Sequence, residues 1–232
     1  MLIWIILIIG PMLFGFYAQS KIRNAYNKNV QIPSRGRITG YEAAQAVMNS
    51  AGIHDVEIVQ VPGELTDHYD PIKKRLALSQ HNYRGTSLAA LGVAAHEAGH
   101  AIQHKVGYSM MTIRQTMAPA TQIAAGVSNY VITGGILLMV FGAKAFGYDL
   151  LMWGAVALAV ICLFQLVTLP VEFDATRRAK QQLVSLGIVD QDEMRGVNET
   201  LDAAALTYIA AFAASLGSLL HILMILQGRS DD

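Results

Sequence analysis

His96 and His100 flank Glu97, Ala98 and Gly99 in an H-E-x-x-H pattern. On a helix, positions i and i+4 share a face about 6 Å apart along the axis, so the two imidazoles can converge on one Zn2+ while the intervening carboxylate reaches water at the metal. The metal would bring the pKa of that water to about 7. Glu97 would take its proton as general base and return it to a leaving amine as general acid. The flanks read as helix. Leu88-Ala89-Ala90-Leu91-Gly92-Val93-Ala94-Ala95 precedes the pattern and Ala101-Ile102-Gln103 follows it, and the small residues leave room for an ion. The competing reading is a pair of hydrogen-bonded core histidines on an Ala-rich helix.

A catalytic zinc needs a third protein ligand and an open position. The metzincin pattern fails, because residue 103 is Gln and residue 106 is Val where a Gly and a third His would complete H-E-x-x-H-x-x-G-x-x-H. His104 lies two turns from His96, about 12 Å along the axis, too far to share a metal with bonds of about 2 Å. It reads as a helix-end cation. Gluzincins take a Glu from a second helix, and Val171-Glu172-Phe173-Asp174-Ala175-Thr176-Arg177-Arg178 offers Glu172. Asp174 is the competing ligand. At i+2 it faces another side of the helix, so one of the two touches the metal and the other orients a ligand histidine or pairs with Arg177 or Arg178. Donors to a developing oxyanion, or to substrate, could come from Tyr69, Tyr83, His68, Arg177 or Arg178, and spacing does not choose among them. Leu76-Ala77-Leu78 reads equally as an edge strand onto which a peptide adds or as a core strand.

What positions these residues follows from the charges. The 232 residues are 53% hydrophobic and carry 17 Lys+Arg and 17 Asp+Glu, about 15% charged where a soluble domain has about 25%. So much apolar residue excludes disorder, the zero net charge argues against nucleic acid, and the single Cys162 excludes a disulfide scaffold. Four long charge-free gaps, 1–20, 115–143, 150–171 and 203–228, each reach the roughly 20 residues that cross a bilayer, and we expect four spans. The first reads as a retained anchor, kinked at Pro11, since no basic residue precedes it and Lys21, Arg23 and Lys28 follow. Alternating the spans puts 21–114 and 172–202 on one side, with 15 Lys+Arg (11 and four) against two on the other. The positive-inside rule makes that side cytoplasmic, with both termini outside. Two spans, an even number, separate the histidines from Glu172, which returns it to their side of the membrane.

Within 21–114, Thr39-Gly40-Tyr41-Glu42 fits a capping box opening a helix to about Ser50, before Gly52. Strands are expected at Val56–Val61 and Arg75–Ser79, the second after a turn at Asp67-His68-Tyr69-Asp70-Pro71, and the H-E-x-x-H helix from Thr86 or Ser87 to His104. Within 172–202, one helix runs to 186 before Gly187, and Asp190 with Glu193 caps another leading into the last span. The expected fold is a mainly α membrane protein: four transmembrane helices plus a zincin-like α+β catalytic unit with a small sheet.

His68-Tyr69-Asp70-Pro71, then Leu78-Ser79, Tyr83, Ser87-Leu88-Ala89-Ala90, Val93 through Gln103, and Pro170 through Ala175 with Arg177-Arg178-Ala179 closely resemble the bacterial membrane-bound neutral zinc metallopeptidases of the YugP type. The resemblance spans almost the whole chain. It implies a multi-pass membrane zinc peptidase with His96 and His100 as ligands and Glu97 as the catalytic carboxylate. The chain is more distantly similar to the HtpX and CAAX-protease gluzincins, in which an Asp follows the ligand Glu by four residues; here that position is Thr176. The expectation is one Zn2+ per chain, held by His96, His100 and Glu172 in the bacterial cell membrane. It would serve hydrolysis of peptide or protein substrates, membrane proteins among them. The alternative is a zinc-binding membrane scaffold or chaperone-like subunit without turnover.

Overall fold

The computed structural model describes residues 2–228, with side chains from Ile6 onward. In chain order the elements are α1 (Leu2–Asn29), α2 (Gly40–Ser50), β1 (Glu57–Val61), β2 (His68–Asp70), β3 (Arg75–Ser79), α3 (Gln80–Arg84), α4 (Leu88–Lys105), α5 (Ser109–Val140), α6 (Lys144–Ser185) and α7 (Met194–Gln227). The fold is mainly helical with one small mixed sheet. The chain divides into two compact units. One comprises Ala18–Thr112 with Pro170–Thr207; the other comprises the chain up to Tyr17, Ile113–Leu169 and the chain from Tyr208.

In the first unit, local signals start each helix. Thr39 Oγ1 accepts from the Glu42 amide at 3.2 Å while Glu42 Oε2 accepts from the Thr39 amide at 2.7 Å, the reciprocal capping box expected for α2. Gly52, with φ +66°, makes the left-handed turn that ends the segment. Ser87 Oγ accepts from the Ala90 amide at 3.2 Å and opens α4. Fourteen of the 18 residues of α4 are buried, and its Ala and Gly positions let neighbours pack close on several sides. Ala43, Ala44, Val47 and Met48 of α2 share one core with Leu76 and Leu78 of β3, Leu91, Ala94 and Ala98 of α4, and Ala179 and Leu183 of α6.

The sheet order is β1-β3-β2, with β1 parallel and β2 antiparallel to β3. Leu76-Ala77-Leu78 is therefore the central strand, fully buried and paired on both sides, which removes the edge-strand reading of this segment. The turn expected at 67–71 is instead the strand β2, with Tyr69 opposite Leu76. Asp67, just before the strand, ties it to the end of β3, and Asp70, its last residue, makes the turn that follows. Asp67 Oδ1 accepts from the Ser79 amide at 2.7 Å, and Asp70 Oδ1 accepts from the amides of Ile72 and Lys73 at 3.0 Å each.

In the second unit, Leu151, Ala155, Leu158 and Ile222 form a core with Ile132 and Met139 against it. Gly135 and Gly147 let α5 and α6 meet closely: a Cβ on Gly147 would lie 2.7 Å from the Gly135 carbonyl oxygen. Large apolar side chains, among them Ile123, Tyr130 and Trp153, point outward, as suits a lipid environment. Three helices among the described residues, α5, α6 and α7, are long and apolar enough to cross a membrane, not the expected four. The expected span at 1–20 is not among them; it falls within α1, and the side chains of its residues 1–5 lie outside those described. Met1 lies outside the described residues. At 42 residues α6 is about 63 Å long, about twice that core, so it carries an apolar stretch and a polar half beyond Pro170.

Candidate metal centre

The centre forms where α4 meets the polar half of α6. Val171, Ala175, Ala179 and Leu183 recur every four residues as a fully buried stripe on α6, and Glu172 and Thr176 stand beside it. On α4, Gly99 permits the close approach. A Cβ at this position would lie 2.6 Å from the Ala175 carbonyl oxygen, so any larger residue pushes the two helices apart. Gly99 sits between the two histidines and Ala175 between Glu172 and Thr176, and the contact that needs a glycine is the one that aligns the site.

His96, His100 and Glu172 each offer a ligating atom, and these atoms lie within 4.8 Å of one another. Glu172 Oε2 is 3.2 Å from His96 Nε2 and 3.5 Å from His100 Nε2. The two imidazoles meet edge to face, with centroids 4.8 Å apart. Ligands about 2.05 Å from a tetrahedral zinc are about 3.4 Å from each other, so both separations match edges of such a tetrahedron. Two imidazole nitrogens and one carboxylate oxygen are also the donor set that suits zinc with a coordination position left open. The residues present fit the ion.

Each imidazole is held from behind. His96 Nδ1 lies 3.1 Å from Thr176 Oγ1, and His100 Nδ1 lies 3.0 Å from Gln103 Oε1. Gln103 in turn donates from Nε2 to the Val171 carbonyl at 2.7 Å and to Asp174 Oδ2 at 2.9 Å. Asp174 also accepts from Arg177 and Arg178. Its carboxylate is engaged away from the ligand cluster, and it reaches His100 only through Gln103. Glu97 is buried, and that burial pushes its carboxyl up from the usual range against the opposing pull of His96 and His100. A raised carboxyl pKa makes the ionised form a stronger base toward a water proton.

The remaining candidates lie elsewhere or are occupied. Tyr69 Oη is 2.8 Å from His104 Nδ1, and both line a cavity of about 420 Å3 whose walls include none of the three candidate ligands. Burial holds the Tyr69 phenol protonated, pushed up to about 12. Tyr83 packs its ring on Tyr41 at 5.1 Å. Arg177 and Arg178 are spent on Asp174. In the sequence, Gln103 closes the run that carries the family resemblance and Thr176 departs from the gluzincin pattern, and neither is singled out as a partner of a histidine. Their spacing carried the signal: Gln103 is three residues beyond His100 and Thr176 four beyond Glu172, which puts each on the face of a candidate ligand.

A family model described as "Putative neutral zinc metallopeptidase" matches residues 4–227. The chain is 39% identical over 232 residues to the "Putative membrane protease YugP" of Bacillus subtilis (strain 168), covering 100% of both chains. No solved structure matches.

Proposed function

The chain belongs to this neutral zinc metallopeptidase family, and from that membership we propose that it is a membrane zinc endopeptidase of gluzincin type. The observation that carries the reading is the convergence of His96, His100 and Glu172 from two helices within 4.8 Å. These three residues would hold the ion. When bound, zinc supplies Lewis acidity, which polarises a scissile carbonyl and makes water a nucleophile near neutral pH. Glu97 is the proton carrier. Its carboxylate accepts a proton from the attacking water and delivers it to the leaving amine, so no acyl-enzyme forms.

The position of Glu172 supports membrane or membrane-associated substrates. It directly follows the uncharged stretch 150–171 within one unbroken helix, which puts the polar half of α6 next to the bilayer surface. Reconstituted protein is expected to cleave a membrane-anchored peptide in a reaction abolished by chelator and restored by zinc. Equal turnover of the same sequence free in solution would remove the membrane preference, and chelator-insensitive cleavage would remove the zinc mechanism.

The catalytic half is assigned to the cytoplasm. The two helices α5 and α6 return Glu172 to the side of α4, and the excess of 15 Lys+Arg against two lies on that side. Single cysteines introduced at 30–36 and 144–149, in a Cys162→Ser background, are expected to react with an impermeant thiol reagent only at 144–149 in intact cells. Labelling at 30–36 instead would invert the orientation.

A further inference from the structure

Gln103 is fully buried and every polar atom of its side chain is committed. Its partners Val171 O and the Asp174 carboxylate are acceptors, and the two ion pairs from Arg177 and Arg178 keep Asp174 ionised. Both N–H groups of the amide must therefore point toward α6. That leaves Oε1, which can only accept, against His100 Nδ1 at 3.0 Å. The imidazole must then carry a proton on Nδ1, and a neutral ring has only one. Its lone pair falls on Nε2, the atom that faces Glu172 Oε2 at 3.5 Å.

We propose that Gln103 is a positioning residue that fixes the tautomer and ring orientation of His100, presenting Nε2 as a metal ligand. The direction is set from outside the site: Arg177 and Arg178 anchor Asp174, Asp174 with the Val171 carbonyl orients the amide, and the amide orients the imidazole. His96 lacks such a device. Thr176 Oγ1 at 3.1 Å from its Nδ1 is a hydroxyl that both donates and accepts, so it holds the ring without dictating a tautomer. The two histidines of one motif are thus unequal, and His100 is the one prepared in advance of the metal. This inference rests on the zinc reading of the site, although its central claim concerns the metal-free protein.

The test has one arm without substitutions. In the full-length protein in detergent, stripped of metal and labelled with 15N at histidine, His100 above pH 7.5 is expected as the Nδ1–H tautomer. An Nε2–H tautomer overturns the proposal. In the second arm, Q103M, which removes the acceptor at similar volume, is expected to weaken zinc binding 10- to 100-fold in competition with a chelator and to let the Nε2–H tautomer of His100 appear in the metal-free protein. Unchanged zinc affinity in Q103M, or a loss of affinity with the His100 tautomer unchanged, reduces Gln103 to a packing role and overturns the proposal. If Q103M does not fold, the wild-type tautomer decides. Wild-type protein that binds no zinc yet shows His100 as Nδ1–H would sink the zinc reading and leave the role of Gln103 standing.

Discussion

Glu97→Gln is expected to lower kcat/KM by about 10²- to 10⁴-fold while the purified protein retains one equivalent of zinc. The substitution keeps shape and volume but removes the atom that takes a proton. Glu97 is buried, and its ligating atoms are not part of the cluster formed by His96, His100 and Glu172. The metal should therefore stay, and the loss should fall on kcat rather than on substrate binding. The same measurement separates an enzyme from a zinc-binding scaffold. A scaffold would hold zinc in both proteins and show no chelator-sensitive cleavage in either, so the variant would change nothing. Zinc lost along with activity would mean that Glu97 supports the ligand set and would undo its assignment as the proton carrier.

The parts of this molecule that were legible in its sequence are those specified by neighbouring residues. The capping box of α2, the start of α4 at Ser87 and the stop after α6 at Gly187 depend on contacts within a turn or two, and each lies where its local signal placed it. The strand β2 was not legible. Its three residues, His68–Asp70, stand between Asp67 and Pro71 in a segment composed like a turn, and only pairing with β3 makes them a strand. That same pairing moved Leu76-Ala77-Leu78 from a possible edge to the centre. Near the metal centre, His96 and His100 announce themselves through their spacing, whereas the groups behind them do not. Gln103 meets Asp174 across 71 residues and His96 meets Thr176 across 80. Such contacts exist only because Gly99 lets α6 approach, and no local pattern encodes that approach.

Glu172→Ala and Asp174→Ala are expected to differ by about an order of magnitude or more in zinc affinity, with Glu172→Ala the weaker binder. Sharing roughly 12 kcal/mol of zinc binding among three protein ligands assigns about 4 kcal/mol to each, so losing the Glu172 carboxylate costs about a thousandfold. Its Oε2 stands 3.2 and 3.5 Å from the two Nε2 atoms, and no other described carboxylate joins that cluster. Asp174 acts at one remove. Its oxygens receive Arg177, Arg178 and Gln103, and its loss would free the Gln103 amide to rotate and leave His100 without a fixed tautomer, which costs about 10- to 100-fold. Chelator competition on both variants, with metal content measured after dialysis, reads the order directly. Zinc lost from Asp174→Ala and kept in Glu172→Ala would transfer the third ligand to Asp174. That outcome would require the carboxylate to leave two arginines and an amide for the metal, and the cost of leaving the buried Gln103 amide and the half-buried Arg178 unpaired is the reason to expect the opposite.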